Sequence, residues 1–436
     1  MIELETIPNG YLKSRRWRTE HLMQVPGQLL QQTGKKAHLE STINQLYNGC
    51  PPITYINHYW AHMGNGFLQS PCHNAAIIVL DGRGENHTVL QAVGEGTHID
   101  VLSETFFPHS LGLFYGAFTQ FLGHKPDSDE WKVMALASYA NSDNKFYSKI
   151  RGMIEIDSQD RLLLDLSYFD FYNHSSKLMY SNRLVETLGN PRISDSGYTE
   201  RDKQVASALQ RVFEDIATEI LNRLHKKTKL TNLVATGGCF MNSVFNGKIS
   251  NQTPFKKVHI TYSPDDSGTS MGAAAWLHSQ RTGKRPEPIE NAYYGSKFTQ
   301  DYTKKVILDY KLPNAKELDN PTVKAAEDIA EGKIIGWFQG RSEFGQRALG
   351  NRSILADPRS EEMKDKINTA VKFRESYRPF APAILSERTI DYFECSADEY
   401  VPYMEKVFMF KKSVRSKVPA VVHIDGSGRL QTVDKK

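Results

Sequence analysis

The chain has 436 residues, of which 39% are hydrophobic and 24% charged, a globular balance that argues against disorder along its length. At roughly 100–200 residues per domain, that length predicts two or three domains. The net charge of +4 is too small to imply a surface that coats nucleic acid or membrane.

Read from the start, MIELETIPNGYLKSRRWR has no apolar stretch behind its basic residues, so no secretory signal is expected. A helix is expected through His38–Leu46. Ala75–Leu80 and Thr88–Val93 flank the turn DGRGEN and predict a hairpin. Leu111–Leu122 and Trp131–Tyr139 read as short helices around the loop HKPDSDE. Asp202–Lys227 is the clearest helix, because Val205, Leu209, Val212, Ile216, Ile220 and Leu224 form one apolar stripe. A strand (Asn232–Ala235), a glycine turn, a helix (Cys239–Ile249), a strand (Lys257–Thr261) and a small-residue helix (Thr269–Ser279) follow. That alternation predicts an α/β layered domain. Gln280–Ser296, with two prolines and two glycines, reads as a boundary, giving domains of 1–285 and 286–436. Beyond it a helix is expected at Pro321–Glu331 and a buried strand at Lys333–Phe338. The longest apolar run, Ala75–Leu80, is far short of the roughly 18 residues of a membrane span. Cys50, Cys72, Cys239 and Cys395 form no C-x-x-C pair, which fits a reducing, cytoplasmic location.

Three segments carry candidate chemistry. In INHYWAH, His58 and His62 stand one helical turn apart, so both imidazoles can share a cation. The other reading is an aromatic helix with two satisfied histidines. Asp265 and Asp266, between a strand and a helix, are the best source of a carboxylate that would complete a divalent site. ATGGCFMNS places Gly237 and Gly238 between strand and helix, as a tight turn or as a phosphate-binding one. It matches neither the P-loop nor the dinucleotide fingerprint. Asp81-Gly82-Arg83-Gly84 is a second turn of this kind. GRSEFGQRALGNRSILADPR sets Arg341, Arg347, Arg352 and Arg359 among glycines, and Lys372, Arg374 and Arg378 follow. Buried arginines need anionic partners, which a phosphate or carbamate ligand, a nucleic-acid backbone or internal ion pairs would supply.

Taken together, NHYWAH, SPCHNAAIIVLDGRGE, DEWKVMALASYA, ATGGCFMNSVFNGKI, DDSGTSMGAA, GWFQGRSEFGQRALGNRSILADPR, NTAVKFRESYRPFAPAIL and PAVVHIDGSGRLQTV resemble the O-carbamoyltransferase family of nodulation and antibiotic-tailoring enzymes. The strings run in family order from Ile53 to Val433. The resemblance implies an actin-like (RNase H-like) ATPase domain followed by a domain similar to threonylcarbamoyl-AMP synthase. In such proteins the second domain makes carbamoyl adenylate from carbamoyl phosphate and ATP. The first then transfers the carbamoyl group to a hydroxyl of a small molecule, a secondary metabolite or a sugar.

Carried over by position, His58, His62 and Asp266 match metal ligands, with iron(II) the expected ion and magnesium accompanying ATP. Asp81, Gly237, Gly238 and Asn242 match positions around the nucleotide of the first domain. Arg347, Lys372 and Arg378 match positions around carbamoyl phosphate and ATP in the second, with Arg352 and Arg429 as further candidates. Phe106, Phe107, Phe114 and Tyr115 read either as acceptor pocket or as core. A tRNA-modifying relative and a non-catalytic nucleotide-binding fragment are the alternative readings. Nucleic acid is disfavoured by the small net charge, no membrane partner is implied, and a homodimer is neither demanded nor opposed. Two departures stand out. Family elements before His58 and after Val433 are not seen, so truncation at both ends is expected, and Gln346 stands where the family usually has proline.

Overall fold

The computed structural model describes residues 39–47, 49–173, 176–372, 377–378 and 380–434. His38, at the start of the first expected helix, and Arg374 lie outside them; the helix itself runs over 39–47.

The architecture is a mixed α/β one built on a five-stranded sheet. Its central strand, Asn74–Gly84, pairs antiparallel with His87–Glu95, which pairs antiparallel with His98–Phe106 at the edge. On the other side the central strand runs parallel to Asn232–Thr236, and that strand runs parallel to Lys257–Ile260. Both faces of the central strand are covered, which explains why its stretch Ala75–Leu80 is continuously apolar rather than alternating. Ala76, Ile78 and Leu80 pack into a core with Phe114, Phe118, Leu209, Val212 and Ile216 from the helices Leu111–Phe121 and Glu200–Thr228. Ala75, Ile77 and Val79 face the opposite way, onto Tyr59, Met63, Phe67 and Ala275. Phe107, Phe114 and Tyr115 are in the first of these cores.

The long helix starts in a capping box. Thr199 accepts from the Asp202 N–H while the Asp202 carboxylate accepts from the Thr199 N–H, and the helix stops at Lys229 in a left-handed conformation. On the opposite face the helix His58–Met63, continued by a π-turn over Gly64–Leu68, crosses the helix Thr269–Thr282 in backbone contact. A Cβ on Gly272 would stand 1.8 Å from the Ala61 carbonyl oxygen, and one on Gly64 would stand 2.1 Å from the Gly272 oxygen. Only glycine permits that approach.

Two expectations need correction. The single helix expected over Cys239–Ile249 is a 3-10 turn (Gly238–Met241) followed by short helices at Ser243–Asn246 and Ile249–Gln252. Asn242 interrupts it by capping the Phe245 N–H, and at Gly247 the chain lies against the Val407 carbonyl. The strand expected to be buried at Lys333–Phe338 is Ile335–Phe338, half of an exposed ribbon with Arg352–Leu355; Phe338 is 61% exposed. A short apolar run does not by itself distinguish a buried strand from an edge ribbon. The remaining C-terminal strands, Ala383–Leu385, Lys406–Met409 and Ser427–Val433, form a small sheet with the last in the middle. No helix among the described residues is long and apolar enough to cross a membrane.

Gly272→Ala should lower unfolding free energy by about 3 kcal/mol, because the added methyl meets a backbone carbonyl that cannot move without separating two helices. A urea midpoint equal to that of the unmutated chain would contradict the contact.

Candidate metal centre

Parallel strands bring their carboxyl ends to one edge of the sheet, and the site is assembled there. Asp81 lies near the end of the central strand, the Gly237–Gly238 turn follows its neighbour, and Asp266 follows the next strand out. The helix carrying His58 and His62 is anchored at the same edge. Asn57 caps it by accepting from the Tyr59 N–H at 2.9 Å, and Glu85, in the hairpin turn, accepts from the His58 N–H at 3.2 Å and from Asn57 Nδ2 at 3.1 Å.

Four side chains converge. His58 Nε2 lies 3.0 Å from His62 Nε2, 3.0 Å from Asp81 Oδ2 and 3.3 Å from Asp266 Oδ1. His62 Nε2 lies 3.5 Å from each of the same two carboxylate oxygens. All four donor atoms fall within 4.8 Å of one another. The His62 ring is fully buried and Asp81 is buried, whereas the Asp266 side chain is 71% exposed. The cluster is therefore closed on the protein side and open on the other.

Electrostatics follow from that crowding. Burial alone would lower the His58 imidazole, but Asp266 and Asp81 outweigh it and push its pKa up to about 10. Asp266 is drawn down to about 2 by hydrogen bonds from the two histidines. Asp81 is held well below the carboxylate range, since the histidines and the Gly238 N–H outweigh its burial. Two imidazole nitrogens that face each other and two carboxylates form a donor set that a divalent cation would neutralise, and the residues fit one.

The glycine turn is tied to this cluster. Asp81 Oδ1 accepts from the Gly238 N–H at 2.9 Å, and the Gly237 N–H donates to the Pro264 oxygen at 2.7 Å. Gly237 has φ +97 and would carry its Cβ 2.2 Å from the Leu80 oxygen, so glycine is required. Asn242 exchanges two amide hydrogen bonds with Gln210 of the long helix, at 2.9 and 3.1 Å.

The candidate residues of the C-terminal region are placed differently from one another. Arg347 is buried and donates to the Tyr403 oxygen at 3.2 Å and the Met241 oxygen at 3.4 Å, so it bridges to the end of the glycine turn. Arg352 lies 3.5 Å over the Phe338 ring and donates to the carbonyls of Gln339, Asn351, Ser296 and Gly340. Arg341 donates to the Gly295 oxygen, and Arg359 forks onto Asp357. The arginines of this segment thus have protein partners: Arg359 makes the kind of internal ion pair that the sequence left open, whereas the carbonyl partners of the others were not anticipated. Lys372 is exposed at the end of the π-turn Asn368–Lys372, Arg378 lies 3.7 Å over Trp131, and Arg429 sits opposite Val407 in the last strand.

Other contributing residues were not singled out from sequence. Glu85 anchors the histidine helix. Glu343 Oε1 accepts from the N–H groups of Leu349, Asn351 and Arg352 at 2.7, 2.8 and 3.2 Å and organises the arginine loop. Glu405 lies fully buried beside Arg347, and burial pushes its pKa up to about 7 against the opposing pull of Lys406 and Arg347. Only Glu343 carried a sequence signal, a lone acid inside an arginine- and glycine-rich loop.

Residues 5–275 match the family described as Carbamoyltransferase N-terminus, and residues 326–436 match Carbamoyltransferase C-terminus. The chain belongs to the carbamoyltransferase family. It is 34% identical to an uncharacterised protein of Synechocystis sp., over 88% of this chain and 66% of that one. Nodulation protein NolNO of Sinorhizobium fredii is 33% identical over 88% of this chain and 55% of its own length. The 3'-hydroxymethylcephem-O-carbamoyltransferase of Streptomyces clavuligerus is 32% identical over 92% of this chain and 68% of that one. The chain therefore spans 55–68% of the length of these three relatives.

Because Glu405 holds its proton more tightly when folded, its own contribution to stability should be fully present below about pH 4.5 and be lost as pH rises through about 7. The loss attributable to this group is about 3 kcal/mol. Glu405→Gln, which retains an acceptor for the Tyr403 N–H, should flatten that part of the urea-midpoint profile; an unchanged slope would remove Glu405 as its source.

Proposed function

We propose that this carbamoyltransferase is an ATP-dependent O-carbamoyltransferase with two sites, one in residues 1–285 and one in residues 286–436. The observation that carries the reading is the convergence of His58, His62, Asp81 and Asp266 beside the Gly237–Gly238 turn. A three-stranded antiparallel meander extended by two parallel strands, with that turn at its carboxyl edge, supports an actin-like nucleotide domain.

In the C-terminal site the chemistry balances as follows. Water cleaves carbamoyl phosphate to carbamate and orthophosphate. A carbamate oxygen then attacks the α-phosphorus of ATP, and the bond to the β-phosphate oxygen breaks to release pyrophosphate. The product, carbamoyl adenylate, is a mixed anhydride with a good leaving group. Lys372 and Arg378 supply cations for the anionic reactants, and Arg347 seats the loop against the glycine turn. In the N-terminal site, the hydroxyl oxygen of a small acceptor attacks the carbamoyl carbon, the acyl C–O bond to AMP breaks, and the hydroxyl proton passes to a base. His58, His62, Asp81 and Asp266 would hold a divalent cation, iron(II) by family resemblance, which would supply Lewis-acid stabilisation of the phosphate charge released on transfer. Gly238 fixes Asp81 in place, and Glu85 fixes the start of the histidine helix.

The test is pyrophosphate release from ATP and magnesium, with and without carbamoyl phosphate. Release should depend on carbamoyl phosphate and fall at least ten-fold in Lys372→Ala, whose side chain is exposed. His62→Ala should keep that release and lose divalent-cation binding. Release that ignores carbamoyl phosphate, or none from a folded chain that binds ATP, would sink the adenylation step.

A further inference from the structure

The two proposed sites meet at one loop. Phe344–Leu349, within the arginine-rich segment, lies on the stretch that leads from the strand Lys257–Ile260 to Asp266. Gly345, at φ +106, passes so close that a Cβ would stand 2.8 Å from the Tyr262 oxygen. The Phe344 and Tyr403 rings pack edge-on against Tyr262, each at 5.8 Å. Beyond this apolar seat, Gln346 Nε2 donates to Asp265 Oδ2. The other oxygen, Asp265 Oδ1, accepts from Ser263 Oγ at 2.9 Å and Ser267 Oγ at 2.8 Å. Asp265 thus divides its carboxylate: one oxygen shapes the turn that presents Asp266, and the other is held from the second site. Its neighbour Asp266 is the exposed member of the cluster and has the least packing of its own to place it.

We infer that Gln346 and Asp265 are a positioning pair through which the arginine-rich loop sets the Asp266 carboxylate, so that cation affinity at the first site depends on the seating of the second. The inference rests on the cluster being the cation site proposed above. Neither residue touches the donor set; Gln346 acts through Asp265, and Asp265 acts through the turn. Binding energy at one site would then bias the other, and by linkage the effect runs both ways.

Cobalt(II) is a suitable probe, because its d–d absorption reports ligand number as well as occupancy. The experiment titrates the purified chain, Gln346→Ala, Gln346→Glu and His62→Ala with cobalt(II), and records thermal midpoints without metal. Gln346 is exposed, so its variants should melt with the unmutated chain. Gln346→Ala should bind cobalt(II) about five-fold more weakly, with a weaker d–d band as water replaces a displaced carboxylate. Gln346→Glu, which sets a second carboxylate against Asp265, should bind more weakly still. Affinity within two-fold and an unchanged spectrum in both Gln346 variants, with binding lost in His62→Ala, would overturn the coupling alone. Unimpaired binding by His62→Ala would overturn the cluster as the cation site, and the coupling with it.

Discussion

One buried carboxylate organises the N-terminal region. Asp81 lies near the end of a strand that is covered on both faces, and a charge in such a place must be satisfied or it destabilises the fold by several kcal/mol. Its two oxygens meet that demand in different directions. Oδ1 takes the Gly238 N–H and so orients the glycine turn, while Oδ2 faces both histidine Nε2 atoms. The hairpin turn beyond it sends Glu85 back to the first turn of the histidine helix. Strand, turn and helix are thereby aimed at one point, and the site exists because the charge needed partners.

The helix bearing the histidines is placed by shape as much as by charge. Gly64 and Gly272 let two backbones touch, and the Trp60 and Trp276 rings stack at 4.9 Å beside that crossing. A bulkier pair would move His62 off the sheet edge. On the C-terminal side, the arginine-rich loop is shaped largely from within. Glu343 gathers three backbone N–H groups, and Arg352 gathers four carbonyls. Arginine is well suited to this, since its planar fork can bridge several acceptors at once. Arg285 does the same in the expected linker, where it donates to the carbonyls of Leu68, Cys72, Phe67 and Ser70, so the segment between the two proposed domains is packed onto the sheet domain.

Periodicity made much of the fold legible. The stripe expected at Asp202–Lys227 is the helix Glu200–Thr228, and the hairpin, the parallel strands and the small-residue helix fall close to their expected places. Reading failed where the local pattern was weak, where a cap interrupted it or where a distant contact did. The edge strand His98–Phe106 has mixed burial and no apolar alternation to announce it. The helix expected after Gly238 breaks because Asn242 caps the Phe245 N–H and Gly247 lies against the distant Val407 carbonyl. His58, His62 and Asp266 were readable as a possible donor set from residue type, a helical step and family resemblance. Asp81 was read as a nucleotide-side residue, and only the structure sets its carboxylate among the other three.

What the sequence determined by itself was local: which segments repeat at helical or strand spacing, which turns need glycine, and which donors stand one helical turn apart. Its strings also carried the family. Only the tertiary structure decided that Asp81 and Asp266 meet the histidines, because their approach depends on the parallel alignment of three strands separated by long connections. It alone decided that Arg347 and Arg352 donate to backbone carbonyls. A hydrogen bond depends on distance in space, and residue spacing along the chain sets that distance only within a helix, a strand or a tight turn.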